Sequence, residues 1–559
     1  MINIRIEKKL IALRKKWVIK GELLATIGMI LSSVLGIFYV IPFYSMIGDY
    51  GGTLYGCAYS IYLIFFGIYQ VGTFLAIRKI VEEYHILGYY RAKERAFQLG
   101  QRMFIIVGLI GWLLLFIFAG VLADVIVGDI VGGSIRGDLR FGIRVISFSL
   151  FIVPLVHIYR GYLQGQKCFV VTSISQTIEQ SVRVIVLVVG VFLAFRVFHF
   201  SFRFTVGIAL LATAIGAFVS YFYLFVTVYQ NRKQLQKKIL KVKEPKITDS
   251  VIISQIVRYA FPFIMVDVFK AFILSVDVFL LVRLLVDVFG YTVQQVEVIL
   301  SIMTTWGLHL NMAFVSIAVL FVVRLMPNLR VHFVNQNLEN IRVEMNLILQ
   351  KLFFLAFPLT FLFSILSKPI WTVFYGVSKF GSEVYQYYVF VSFATLLFIV
   401  AMFFLQILQE YKRLFLILFV GVVTNVLFYL PLLYGFYNMG LPAYYGAITS
   451  MILSCLICSM MALHYLGKKY QINYEQTIKR VLNIIIITLV MVIVILAVLY
   501  FIRFHSNVRI LNLFMVIMCI IVGMIIYFGL MFRTRLVYDI FGYQNVKKIE
   551  NRIRKKVNL

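Results

Sequence analysis

The chain has 559 residues, 62% of them hydrophobic and only 14% charged, with a formal net charge of +30. Its mean hydropathy is +0.96. That ratio excludes an ordinary soluble domain, whose surface must be polar, and the loop charge fits anionic lipid headgroups better than nucleic acid.

Apolar runs of about twenty residues read as membrane-crossing helices, because in lipid a backbone must satisfy its own hydrogen bonds. No short alternating strands of a transmembrane barrel are evident. The expectation is an all-α polytopic membrane protein of about fourteen spans. They fall near residues 22–47, 54–78, 103–123, 141–163, 170–195, 204–228, 254–282, 298–323, 352–376, 385–409, 414–433, 444–466, 481–502 and 510–532.

Loop charge orients these spans. Segments 1–20, 79–102, 160–167, 229–250, 324–351, 412–413, 468–480 and 533–559 hold 39 of the 53 Lys and Arg, and the seven intervening loops hold 8. Cytoplasmic chain carries the excess of positive charge, so both termini are expected in the cytoplasm. The layout divides into a basic N-terminus (1–21), a first six-span lobe (22–228), a basic linker (229–250), a second six-span lobe (251–467), two further spans (468–532) and a basic tail (533–559). The N-terminus leads into a full-length span, so no cleavable leader is expected. The tail, with Lys547, Lys548, Arg552, Arg554, Lys555 and Lys556, is expected on anionic lipid.

An ionisable group inside a span costs about 3 kcal/mol on insertion scales and so asks for a reason. Thr172, Gln176, Glu179, Gln180 and Arg183 recur at three- and four-residue spacing along the fifth span, within one narrow stripe. Glu179 and Arg183 stand i,i+4 in the favourable orientation. The stripe either lines a water-filled cavity or is an ion pair joining helices, and the sequence weighs these evenly. Asp267, Lys270 and Asp277 share a face of the seventh span, a pattern that binds a cation, relays a proton or simply neutralises itself. Arg78 and Arg160 end the second and fourth spans, where positive charge is expected in any case. His157 and His309 read as helix-to-helix hydrogen bonds, and most Tyr and Phe near span ends as interfacial anchors. Cys455 and Cys458 are spaced CxxC in mid-span with no second pair, which reads as packing rather than zinc or redox chemistry.

No loop exceeds about thirty residues. There is no Gly-rich phosphate loop, no room for a nucleotide domain and no re-entrant filter segment. The chain is therefore not expected to be an enzyme, an ATP-driven pump or a channel, and no cofactor or metal is implied.

Residues 32–62, SSVLGIFYVIPFYSMIGDYGGTLYGCAYSIY, and residues 160–186, RGYLQGQKCFVVTSISQTIEQSVRVIV, resemble the stage V sporulation protein B-like branch of polysaccharide and lipid-oligosaccharide exporters. Weaker echoes are Phe261 and Pro262 with Asp277, FPLTFLFSILSKPIWTVFYG at 357–376 and YYGAITS at 444–450. The resemblance implies the superfamily of MurJ-type lipid II flippases, Wzx-type flippases and multidrug MATE exporters. Its fold is two six-helix lobes in a V, with two C-terminal helices in the MurJ-like members. The implied activity is alternating-access export of an undecaprenyl-pyrophosphate-linked saccharide, driven by membrane potential or by H+ or Na+. The branch usually carries a basic residue where this chain has Ser33, and often another where it has Val40. With both neutral, the implied cavity cations are Arg78, Arg160, Arg183 and Lys270, beside Gln176, Glu179 and Gln180, with Asp267 and Asp277 for ion coupling. The alternatives are a MATE-like cation-coupled drug antiporter and a non-transporting paralogue that scaffolds an envelope-synthesis complex.

Overall fold

A computed structural model describes residues 39–67, 72–127, 133–232, 245, 247–323, 325–502, 507–544 and 546–547. Most of the expected first span with Ser33, most of the 229–250 linker, the basic N-terminus and the end of the basic tail lie outside these residues. The described chain is helical. It forms two compact units, Met1–His309 and Leu310–Leu559.

The first unit contains α1 (Val40–Gly67), α2 (Phe74–Leu87), α3 (Tyr90–Val127), α4 (Gly133–Gly165), α5 (Phe169–Ile185), α6 (Phe202–Gln230), α7 (Asp249–Arg283) and α8 (Val293–Ser301). α9 (Gly307–Val323) begins at the division. The second unit continues with α10 (Met326–Val334), α11 (Leu338–Ile365), α12 (Ser367–Tyr375), α13 (Lys379–Tyr388), α14 (Phe390–Ile407), α15 (Tyr411–Asn438), α16 (Tyr444–Tyr470), α17 (Glu475–Ile502), α18 (Arg509–Arg533) and α19 (Leu536–Phe541).

Among the described residues ten helices are long and apolar enough to cross a membrane. They correspond to expected spans three to six and nine to fourteen. The expected second span is divided between α1 and α2, and the seventh lies in α7. The eighth is broken by a π turn, Ile302–Trp306, between α8 and α9.

Side-chain size sorts the faces of these helices. On α3, Gly108, Gly111, Leu115, Ala119 and Ala123 are buried, while Ile106, Ile110, Ile117 and Val121 point outward, Ile117 at 65% exposure. Small residues inside and large apolar ones outside are what helices packing in lipid require. No water drives them together, so close backbone approach must. α3 packs on α4, and α4 on α6. In the second unit α15 and α16 pack so closely that a Cβ on Gly446 would stand 2.4 Å from the Leu433 amide nitrogen.

Two features of α1 position the site. Gly48 has φ +59°, in the region that disfavours side chains, and breaks the helix there. At Gly56 a Cβ would meet Thr304 Oγ1 at 2.1 Å, so the π turn lies directly on α1. α7 packs into this same unit, against α1, α2 and α3. Tyr84 donates to Gln255 Oε1 at 2.7 Å, and Arg95 Nε donates to Asp249 Oδ1 at 2.8 Å. That hydrogen bond holds the Asp249 carboxyl below its usual range.

The five cysteines are free thiols. Cys455 and Cys458 are buried in α16, and the Cys458 thiol contacts the Ile417 carbonyl at 3.4 Å. They pack helices, as expected.

Candidate functional site

Arg160, near the end of α4, is 4% exposed. Its Nε donates to Ser175 Oγ at 2.8 Å, and its Nη2 to Glu179 Oε2 at 2.6 Å and Ser220 Oγ at 3.0 Å. Ser220 in turn donates to the Ser175 carbonyl at 3.0 Å. The guanidinium therefore ties α4, α5 and α6 together. A Cβ on Gly216 would be 2.7 Å from the Glu179 carbonyl oxygen, which lets α6 lie close against this knot. Two charges out of water need this quality of geometry, because each desolvated ion alone costs several kcal/mol.

Glu179 is thus committed to Arg160. The i,i+4 pairing with Arg183 read from the sequence is not formed. The reason is tertiary: Arg160 and Ser220 arrive from neighbouring helices. Arg160 is not a free cation, since it is paired with Glu179.

Arg183 lies one turn further along α5, half-buried. Its Nη2 donates to the Tyr55 hydroxyl at 3.2 Å, and its guanidinium stands 5.2 Å from the centre of the Tyr59 ring. Among the described residues no carboxylate comes within ion-pair distance of it. Just beyond it α5 opens into π turns at Val186–Gly190 and Leu193–Val197. A guanidinium has five N–H donors in a planar fork, and neutral tyrosines leave its charge uncompensated.

The tyrosines form a ladder on α1. Tyr55 stacks on Tyr59 at 5.6 Å, Tyr59 meets Tyr62 at 5.4 Å, and Tyr62 meets Phe66 at 5.2 Å. Phe66 then meets His157 edge-on at 6.0 Å. Tyr55 and Tyr62 are buried, which corrects the interfacial-anchor reading for this part of the chain. The four–three–four spacing of residues 55, 59, 62 and 66 is a helix-face signal the sequence carries.

The remaining candidates are dispersed. Gln176 and Gln180 lie half-buried on the α5 stripe. Arg78 is half-buried on α2, its guanidinium 5.9 Å from the Phe169 ring centre, apart from the knot. On α7 Lys270 donates to Asp267 Oδ1 at 2.9 Å, so these two charges cancel locally. A Cβ on Gly67 would lie 3.1 Å from Asp267, which sets this pair beside the end of α1. Asp277 is buried on the same helix but ten residues further on, about 15 Å along the axis. The two acids do not meet at one point, and no three-ligand metal cluster occurs among the described residues.

One polar grouping escaped the sequence reading. Lys93, 1% exposed, donates to Gln166 Oε1 at 3.1 Å and lies 3.6 Å from Glu94, which also accepts from Tyr162. His309 makes the helix-to-helix hydrogen bond expected of it. Its Nδ1 lies 2.6 Å from the Thr305 carbonyl and can only donate there, so in the neutral ring Nε2 accepts from Tyr39, at 2.7 Å.

Similarity to known proteins follows this architecture. The family described as "Polysaccharide biosynthesis protein" matches residues 18–290. The lipid II flippase MurJ of Bacillus subtilis (strain 168) is 27% identical over 471 residues, covering 82% of this chain and 85% of that protein. A lipid II flippase MurJ structure, in an inward closed conformation, superposes with a TM-score of 0.61 at 16% identity. It covers 93% of this chain and 100% of that one. An inward-facing MATE-family multidrug resistance transporter gives a TM-score of 0.62 at 10% identity, covering 80% of this chain and 98% of that one. The chain has the MurJ/MATE fold.

Proposed function

We propose that this chain, which belongs to the MurJ-like, polysaccharide-exporting branch of the multidrug/oligosaccharidyl-lipid/polysaccharide superfamily, moves an undecaprenyl-pyrophosphate-linked saccharide from the inner to the outer leaflet of the bacterial cell membrane by alternating access. The observation that carries this reading is Arg183. It is a cation inside a membrane helix, held by a tyrosine hydroxyl and a tyrosine face, with no carboxylate partner among the described residues. A cation in that setting lowers its cost by receiving an anion, and a planar guanidinium suits the bidentate geometry of a phosphate. The half-buried Gln176 and Gln180 supply neutral donors and acceptors on the same stripe.

The wider coverage of the MurJ structure, 93% of this chain against 80% for the MATE transporter, supports a lipid-linked substrate over a drug. The carried unit is a peptidoglycan precursor or a polysaccharide repeat. Asp267 and Asp277 are the groups assigned to coupling with H+ or Na+.

The test is ligand-dependent thermal stabilisation of the purified protein. Undecaprenyl pyrophosphate should raise the melting temperature and organic cations should not. Stabilisation by organic cations alone would reverse the assignment. Complementation of bacteria depleted of their lipid II flippase then identifies the glycan. Rescue means peptidoglycan precursor, and failure of an expressed, inserted protein means another saccharide or a non-transporting role. A transport rate that ignores pH and membrane potential would remove Asp267 and Asp277 from coupling.

A further inference from the structure

The second unit holds a cleft of about 550 Å³ between α11, α16 and α17. Its walls are apolar, built from Leu349, Phe353, Leu463, Ile478 and Leu482. Ile478 and Leu482 are more than half exposed and open it to the surface these helices turn to lipid. Tyr474 closes one side. Its ring lies across α16 at Gly467, where a Cβ would come within 2.9 Å of Cε2, and its hydroxyl donates to the Leu463 carbonyl at 3.1 Å. The volume lies within the roughly 300–1,000 Å³ of small-molecule sites.

Basic side chains lie on the helices and turn around the cleft, and they differ in one respect. Lys469 bonds Glu410, Lys479 donates to Glu475 at 2.7 Å, and Arg480 donates to Gln350 Oε1 at 2.9 Å. Arg342 Nε donates to the Tyr470 carbonyl at 2.8 Å. Lys468 and His464 stand one turn apart on α16, both exposed and both lining the cleft, and among the described residues neither has an ion-pair partner. They lie where the apolar helix gives way to the basic turn at 468–480, a pattern expected at the level of lipid phosphates. Basic pockets between membrane helices on that side suit anionic headgroups.

We propose that this cleft binds an anionic glycerophospholipid of the inner leaflet, its phosphate at Lys468 and His464 and an acyl chain against the apolar walls, bridging α16 and α17. A free phosphate would leave those walls unfilled, and a zwitterionic lipid would gain little from Lys468. The site is separate from whatever the first unit carries, so it stands or falls independently of the transport reading.

The test uses the full-length protein in nanodiscs or mixed micelles, with phosphatidylglycerol against phosphatidylcholine. Phosphatidylglycerol should raise the melting temperature and remain bound in native mass spectra. At least half of that selective shift should disappear in Lys468→Gln/His464→Gln, and separately in Leu482→Trp, which fills the cleft without touching charge. Lys479→Gln, a neighbouring cation already paired, should keep the shift. Equal stabilisation by the two lipids would overturn the proposal, as would a selective shift retained in both cleft variants. Displacement of phosphatidylglycerol by an equimolar polyprenyl phosphate would also overturn it, by making the cleft a tail site.

Discussion

Arg160 and Glu179 meet at 2.6 Å across α4 and α5, and this pairing leaves Arg183, one turn on, without an acid. The arrangement separates two jobs on one helical stripe. The first charge pair joins helices, and the second cation faces neutral partners. Removing one member of a buried pair strands the other, at a cost of about 3–5 kcal/mol. Arg160→Gln and Glu179→Gln should each lower thermal stability by that order. The double variant Arg160→Met/Glu179→Leu should lose less than either single change, because it strands nothing. A double loss equal to the sum of the single losses would mean the pair is not coupled.

Arg183→Gln should behave differently. The side chain makes one hydrogen bond, to Tyr55, so the unliganded protein should melt within about 1–1.5 kcal/mol of the parent. Binding of undecaprenyl pyrophosphate should weaken at least tenfold, about 1.4 kcal/mol. Arg183→Lys keeps the charge but loses the planar fork, so it should recover only part of that affinity. Titration of the three proteins by thermal shift separates the outcomes. Unchanged affinity in Arg183→Gln would place the phosphate elsewhere.

Much of the fold was legible before the structure, for a physical reason. A helix in lipid satisfies its backbone alone, so spans such as α3, α16 and α17 announce themselves by unbroken apolar length. The less regular parts were not legible. The Gly48 break, the division of the expected second span between α1 and α2, and the π turn at Ile302–Trp306 depend on how α1 meets its neighbours. The site shows the same contrast. The stripe from Thr172 to Arg183 follows from 100° per residue alone. Which cation Glu179 would pair with did not follow, because Arg160 and Ser220 lie on other helices.

The contact of α1 with the π turn predicts contrasting glycine variants. At Gly56 a Cβ would stand 2.1 Å from Thr304 Oγ1 and 2.3 Å from Thr305 Oγ1, so Gly56→Ala must push the turn away, at about 1–3 kcal/mol. At Gly48 a Cβ meets nothing within 4 Å, and Gly48→Ala should cost only the backbone penalty of φ +59°, ψ −158°, a region essentially confined to glycine, about 1–3 kcal/mol. Thr304→Ala removes the nearest oxygen and should restore part of the Gly56→Ala loss, but none of the Gly48→Ala loss. Melting curves of the four variants would check this. Rescue of Gly48→Ala by Thr304→Ala would contradict the local assignment.

Glu410 gives the second unit a pH dependence with a definite sign. It lies between α14 and α15, where burial raises its carboxyl. Hydrogen bonds from Lys469, Tyr465 and Tyr470 outweigh that effect and leave it below the ordinary range. A carboxyl depressed in the folded state adds stability that is fully present above its unfolded value, about 4.3. That stability is lost as pH falls through the folded value. At pH 7 Glu410→Gln should therefore melt below the parent, by roughly 0.5–1.5 kcal/mol for a partly exposed cluster. The gap should narrow as pH is taken below about 4 and the parent's own carboxyl protonates. Lys469→Gln should remove part of the same pH dependence, since it withdraws the charged donor and leaves the two tyrosines. Parallel melting curves of the three proteins between pH 7 and pH 3.5 measure the effect. A gap that stays constant across that range would mean that Glu410 contributes through packing rather than through its charge.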